Sequence, residues 1–171
     1  MSSVVTDLHL PSAGATEALG AALARTLPRP ASVGAVLHLQ GDLGAGKTTC
    51  VRSLLRALGI TRPVRSPTYT LVETYLAAGL TCVHVDLYRL RGAAEAEDLA
   101  LRDLAGPNCL LLIEWPEKGG AAVPGADLQL RLAYRGEERA AQLGAASGLG
   151  EVWLGNLGHD ASLRSYVSNM T

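Results

Sequence analysis

Gly41-Asp42-Leu43-Gly44-Ala45-Gly46-Lys47-Thr48 is the stretch that decides the fold. It places a glycine, four residues, then Gly-Lys-Thr, which is the spacing of a phosphate loop. The chemistry requires that spacing. Gly41, Gly44 and Gly46 let the backbone turn so that successive N–H groups point inward. With the helix N-terminus beyond them, those donors form a cradle for phosphate oxygens. Lys47 adds a point charge between the outer phosphates, and the Thr48 hydroxyl is placed to bind Mg2+.

Such a match counts only between a strand and a helix. Both flanks are present. Val33 to Leu39 is a short uncharged apolar run, the pattern of a strand buried on both faces. From Thr48 to Leu58, Cys50, Val51, Leu54, Leu55 and Leu58 line one side of a helix, while Arg52 and Arg56 can face water. Gly59 closes it by accepting a left-handed conformation cheaply. The segment reads as strand, loop, helix, and the ligand it implies is a nucleotide. No Asn-Lys-x-Asp run follows to read guanine, which favours ATP over GTP.

Outward from this centre the chain alternates strands and helices. Upstream, Val4 to Leu10 reads as a strand ended by Pro11. A helix follows Ser12, with Ala15, Leu19, Ala22 and Leu23 at helical spacing, and Pro28 and Pro30 stop it. Downstream, Tyr69–Leu76 and Thr81–Leu87 read as a hairpin around Gly79. Ala93 to Leu104 reads as a helix broken by Gly106-Pro107. Cys109 to Ile113 is the most apolar short run and reads as a central parallel strand. Leu128 to Tyr134 alternates as a half-buried strand and turns at residues 135–138 into a second, Arg139 to Ala145. The tail beyond Ala145 has no assigned role; Leu163, Tyr166 and Val167 could anchor a last short helix, and Trp153 and His159 carry no reading. The fold class expected is an α/β phosphate-loop nucleoside triphosphate hydrolase fold, with a mainly parallel central sheet, antiparallel edge strands and flanking helices.

Composition sets the limits. At 171 residues the chain fits one domain, 1–171, with a real core. A content of 48% hydrophobic and 18% charged residues excludes wholesale disorder. A net charge of -1 gives no general sign of nucleic-acid binding. Cys50, Cys82 and Cys109 form no metal-spaced pair and suit free thiols in a reducing cytoplasm. No stretch approaches the ~20 apolar residues of a membrane span, and the start does not resemble a signal peptide. With no phenylalanine at all, the core rests on Leu, Val, Ala and a few Tyr, Ile and Trp side chains.

Two acids follow apolar strands. Asp86 ends Cys82-Val83-His84-Val85, and Glu114 ends Leu110-Leu111-Leu112-Ile113. A phosphate-loop enzyme needs a strand-end carboxylate for Mg2+ and a group to orient the attacking water. Ligands of open α/β sheets bind beyond the strand C-termini. Glu114 has the better Mg2+ context because its run looks central; Asp86 is the other candidate. His84 shares strand parity with Asp86 and serves either to order the site or as a half-buried structural histidine. Ser66-Pro67-Thr68-Tyr69-Thr70 lies where nucleotide switches place a threonine that senses the last phosphate, and both Thr68 and Thr70 qualify. The alternative is a turn held by Ser66 and Pro67. Trp115 could cover a nucleotide or pack against the loop.

Together, Gly41 to Thr49, Ser66 to Glu73, His84-Val85-Asp86-Leu87-Tyr88-Arg89-Leu90 and Ile113-Glu114-Trp115-Pro116-Glu117 resemble the bacterial TsaE family, from about Thr16 to Leu132. Val85 stands where the family usually carries an aromatic residue. The resemblance implies a Mg2+-dependent ATPase needed for N6-threonylcarbamoyladenosine at position 37 of tRNA; with no internal arginine finger evident in the sequence, the chain alone is expected to turn over slowly. It implies action on the TsaD and TsaB proteins, with tRNA met only indirectly, through that complex. On matching positions, Lys47 and the loop residues Gly41, Asp42, Leu43, Gly44, Ala45, Gly46, Thr48 and Thr49 would bind phosphates. Thr48 and Glu114 would hold Mg2+, and Asp86 would serve hydrolysis. Thr68 and Thr70 would lie in the switch-like segment, with Trp115 near the nucleotide. A small-molecule kinase and a nucleotide-gated binding module without turnover are the rival readings. The scattered arginines Arg91, Arg102, Arg131, Arg135 and Arg139 do not group into a kinase lid.

Overall fold

The structure, a computed structural model, describes residues 5–29, 34–77 and 79–168. Val4, Pro30 and Val33, which bound elements expected from sequence, lie outside them. The strands are β1 (Val5–Leu10), β2 (Ala35–Gln40), β3 (Val72–Ala77), β4 (Leu80–Asp86), β5 (Cys109–Glu114), β6 (Leu128–Arg135) and β7 (Glu138–Ala145). The helices are α1 (Ala13–Thr26), α2 (Lys47–Ala57), α3 (Ala93–Asp98), α4 (Leu101–Leu104) and α5 (Gly148–Gly158).

The seven strands form one sheet in the order β1-β7-β6-β2-β5-β4-β3. Its centre, β6, β2, β5 and β4, is parallel. The hairpin strand β3 runs antiparallel on one edge, and β7 and β1 run antiparallel in turn toward the other. This is the mainly parallel sheet with antiparallel margins that the strand patterns call for. All six residues of β5 are buried: Cys109 to Ile113 as an uncharged run predicts for a strand covered on both faces, and Glu114 with them. One core packs Leu37, Leu39, Leu110 and Leu112 against α1, α2 and α5; the other gathers Val36, Val83, Val85, Leu111 and Ile113 on the opposite face.

Helix α1 starts where Ser12 accepts from the Ala15 amide at 3.2 Å, a side-chain N-cap. It packs closely on α2 because Gly20 has no side chain. A Cβ there would lie 2.3 Å from the Cys50 carbonyl oxygen. Helix α2 buries Cys50, Val51, Leu54 and Leu55 and ends at Gly59, whose φ of +100° is the left-handed stop expected. Arg52 is half-buried, its Nε donating to the Val64 carbonyl at 3.1 Å.

Three segments depart from expectation. Thr68 to Thr70 form a turn and Leu71 takes φ +63°, so the strand begins at Val72 rather than Tyr69. The helix expected from Ala93 to Leu104 is broken between α3 and α4, where Ala100 is left-handed at φ +47°. Residues 148–158 form α5, capped by Ser147, before a 3-10 turn at Ala161–Tyr166. Trp153 anchors α5. It is fully buried, and its indole N–H donates to the Leu23 carbonyl at 3.1 Å. Val167 then bridges to Leu8, and the Ser168 amide donates to the Asp7 carbonyl, covering part of the β1 edge. No helix among the described residues is long and apolar enough to cross a membrane.

Candidate functional site

Among the described residues the buried polar and charged side chains are Thr16, Lys47, His84, Asp86 and Glu114. All five gather about the loop between β2 and α2. Burying polar groups opposes folding unless each finds a partner. A cluster of this kind therefore points to function.

The loop leaves β2 at Gly41, where φ is +136° and a Cβ would lie 2.1 Å from the Leu132 carbonyl oxygen. Only glycine meets both demands. Gly46 is left-handed and rests on Thr16. The β6–β7 hairpin props the loop from behind. The Tyr134 hydroxyl donates to the Leu43 carbonyl at 2.9 Å, and Arg139 lies with its guanidinium carbon 4.0 Å from the Tyr134 ring centroid.

Lys47 opens α2 and is 4% exposed. Its Nζ donates to the carbonyls of Gly41 at 2.5 Å and Asp42 at 2.9 Å, and stands 4.1 Å from the Trp115 ring centroid. Burial pushes the ammonium pKa down from its ordinary value, while the carboxylates of Glu114 and Asp86 pull it back up. Thr48 Oγ1 donates to Glu114, at 2.9 Å from Oε1 and 3.1 Å from Oε2. His84 Nε2 lies 2.8 Å from the same Oε1. His84 is fully buried rather than half-buried. Below them the Cys50 thiol is driven up to about 12 by burial and then by Glu114, which keeps it protonated.

Asp86 and Glu114 are ladder partners at the ends of β4 and β5, so register alone sets the two acids side by side. Asp86 accepts from the Ser66 hydroxyl, from Thr68 Oγ1 at 3.4 Å and from the Tyr88 amide at 2.9 Å. It thereby ties the 66–70 segment to the sheet. Beyond Glu114 the chain turns sharply at Trp115, left-handed at φ +58°. This lays the indole over Lys47 and 5.1 Å from the Tyr88 ring.

These groups line one cleft of about 390 Å³ that holds Lys47, Thr48, Thr68, Asp86, Glu114 and Trp115 together, with Leu43, Gly44, Gly46 and Thr49 along its wall. Thr70 does not join them. It is exposed and lines a separate groove with Arg62, Arg65 and Tyr69. A further groove, of about 260 Å³, adjoins the loop; it shares Gly44, Gly46 and Thr49 with the cleft and adds Leu10, Thr16 and Arg139. Ala45 is buried at its floor, and Asp42 contributes its carbonyl to Lys47. Sequence reasoning left Thr16, Tyr134 and Arg139 out of the site. No local signal marks them, because their role comes from packing across the sheet.

The oxygen donors present, one hydroxyl and two carboxylates, suit a hard cation such as Mg2+. Among the described residues no group of three or more His, Cys, Asp or Glu forms a complete cation cage. Mg2+ binding relies on one or two carboxylates together with water and substrate phosphates.

Comparison with known proteins gives one consistent result. Residues 10–142 match the family described as threonylcarbamoyl adenosine biosynthesis protein TsaE. The tRNA threonylcarbamoyladenosine biosynthesis protein TsaE of Haemophilus influenzae is 44% identical over 116 residues, 68% of this chain and 73% of that protein. The protein of the same name from Streptomyces coelicolor is 36% identical over 136 residues, 77% of this chain and 91% of the relative. The crystal structure of Bacillus subtilis YdiB superposes with a TM-score of 0.74 at 28% identity, covering 92% of this chain and 97% of that one.

Proposed function

The chain belongs to the TsaE family, and from that premise we propose that it is a Mg2+-dependent ATPase serving formation of N6-threonylcarbamoyladenosine in tRNA. The observation that carries the reading is the convergence of Lys47, Thr48, Asp86 and Glu114 on one cleft.

ATP would lay its outer phosphates against the amides of the loop and the N-terminus of α2. Lys47 would exchange the carbonyls of Gly41 and Asp42 for phosphate oxygens. The adjoining groove past Gly44 and Thr49 offers room for the nucleoside. Thr48 and Glu114 would hold the Mg2+, which neutralises charge on the phosphates. Water then attacks the terminal phosphorus in line. The bond from water oxygen to phosphorus forms, the bond to the bridging oxygen breaks, and ADP leaves with that electron pair. Asp86 would accept the water's proton, and it accepts hydrogen bonds from Ser66 and Thr68 at the cleft. Fixed donors aimed at developing charge are the main catalytic resource of such a site. Arg89 lines the cleft, but its guanidinium carbon rests 4.5 Å from the Tyr69 ring centroid; turnover is expected to be slow alone and raised by partners.

Those partners, on the family's pattern, are TsaD and TsaB, with tRNA reached through their complex in the cytoplasm. The test is phosphate release from Mg-ATP with and without TsaD–TsaB. Turnover without any acceptor, raised by the partners and depressed in Asp86→Asn, supports the reading. Transfer of the phosphoryl group to a small molecule, or tight ATP binding with no turnover even with partners present, overturns it.

A further inference from the structure

His84 is fully buried in β4, and its two ring nitrogens meet opposite fates. Nε2 lies 2.8 Å from Glu114 Oε1. Nδ1 is buried with no hydrogen-bond partner. A proton on Nδ1 would be a buried N–H without an acceptor, so the proton belongs on Nε2 and is donated to Glu114. On β5 the ladder neighbour is Leu112, and Cys82, Leu110 and Leu112 on the same face are apolar core. On β3 the ladder neighbour is Glu73, which makes no hydrogen bond to His84 and stands 3.9 Å from the Arg62 guanidinium. A buried imidazole in that setting is costly unless its one bond matters.

Glu114 Oε1 has two donors, Thr48 and His84. They differ in kind. Thr48 opens α2 and would turn its hydroxyl to a cation. His84 lies under the carboxylate, within the sheet, and has no other partner to turn to. We propose that His84 is a positioning residue: its Nε2–H holds Glu114 by Oε1, so that the carboxylate keeps its orientation when Thr48 lets go to bind Mg2+. This rests on the assignment of Glu114 to Mg2+ above. Outer partners of this type fix ligand orientation, and their loss typically lowers metal affinity ~10–100-fold.

The test is calorimetric titration of ADP over a series of Mg2+ concentrations, reading the Mg2+ needed for half of the cation-dependent gain in ADP affinity. Four variants are compared with the parent: Glu114→Gln, His84→Leu, His84→Asn and His84→Gln. Gln places its amide N–H near the position of Nε2, whereas Asn stops short and Leu has no donor. The expected result is a rise in required Mg2+ of roughly tenfold or more for Leu and Asn. His84→Gln should stay within about threefold of the parent. If Leu does not fold, judged by circular dichroism, the Asn and Gln pair decides alone. An unchanged Mg2+ requirement in Asn, or an equal rise in Asn and Gln, overturns the proposal. A parent protein with no Mg2+ effect, or a Glu114→Gln variant with the parental requirement, instead removes the Glu114 assignment and the His84 role with it. That pattern is distinguishable because it appears before any His84 variant is compared.

Discussion

Asp86 and Glu114 face each other as paired residues in the parallel β4–β5 ladder. Two strands far apart in sequence therefore end in one acidic pair, directly beside the buried Lys47 ammonium. Neither acid alone defines the site; the register does.

Replacing Lys47 with Met removes the charge that would meet the phosphates. Nucleotide affinity should fall by roughly two orders of magnitude, the scale of losing a buried charge-assisted contact. Without ligand the same variant should unfold at an equal or higher temperature, because Lys47 is 4% exposed and its desolvation opposes folding. Calorimetric binding and thermal unfolding of one sample check both halves. Undiminished binding would remove Lys47 from the cradle.

Asp86→Asn keeps shape but loses the carboxylate that accepts from Ser66, Thr68 and the Tyr88 amide. The 66–71 segment should open more easily, by ~1.5–3 kcal/mol, the usual worth of a hydrogen bond to a charged group. Amide hydrogen exchange should speed up there and not in α2. Uniform acceleration across the chain would mean a general loss of stability instead.

Asp160 gives a pH signature away from the site. Its hydrogen bonds to Arg25, then to Ser162, hold the carboxyl down at about 2 against an ordinary 3.8. A depressed acid stabilises the fold above its unfolded value, and that contribution is lost as pH falls from about 3.8 through 2. The Arg25 side chain is 50% exposed, so solvent screening limits the effect to about 1 kcal/mol. Asp160→Asn should be less stable than the parent at pH 6, and the two should converge near pH 2. Chemical denaturation at both pH values measures the gap.

Trp153→Ala should destabilise by ~3–5 kcal/mol, since it empties a fully buried indole site and strands the Leu23 carbonyl. Equilibrium denaturation reads the loss. A change under 1 kcal/mol would mean that α5 is not needed to close the core.

How much of this was legible in sequence depended on how local each signal is. The loop, its flanking strand and helix, and the buried β5 rest on adjacent residues, and each has the expected form. The break at Ala100 was hidden because Ala96, Leu99 and Ala100 keep helical spacing although the backbone turns left-handed there. Helix α5 was hidden by its own glycines. Gly148, Gly150, Gly155 and Gly158 lower helix propensity, yet Gly150 is required because a Cβ would fall 1.8 Å from the Asp127 carbonyl oxygen. Parity placed His84 on the face of Asp86 but not its depth, which is set by the elements that cover that face. The choice between Thr68 and Thr70 was undecidable from spacing. The turn at 68–70 directs Thr68 to Asp86 and leaves Thr70 exposed.

The most direct measurement is a crystal structure with Mg2+ and a non-hydrolysable ATP analogue. The account predicts phosphates seated on the amides of residues 44–48, Lys47 Nζ moved from the carbonyls of Gly41 and Asp42 onto phosphate oxygens, and the cation between Thr48 and Glu114. Phosphates bound elsewhere, or Lys47 still hydrogen-bonded to those two carbonyls beside a bound analogue, would contradict it.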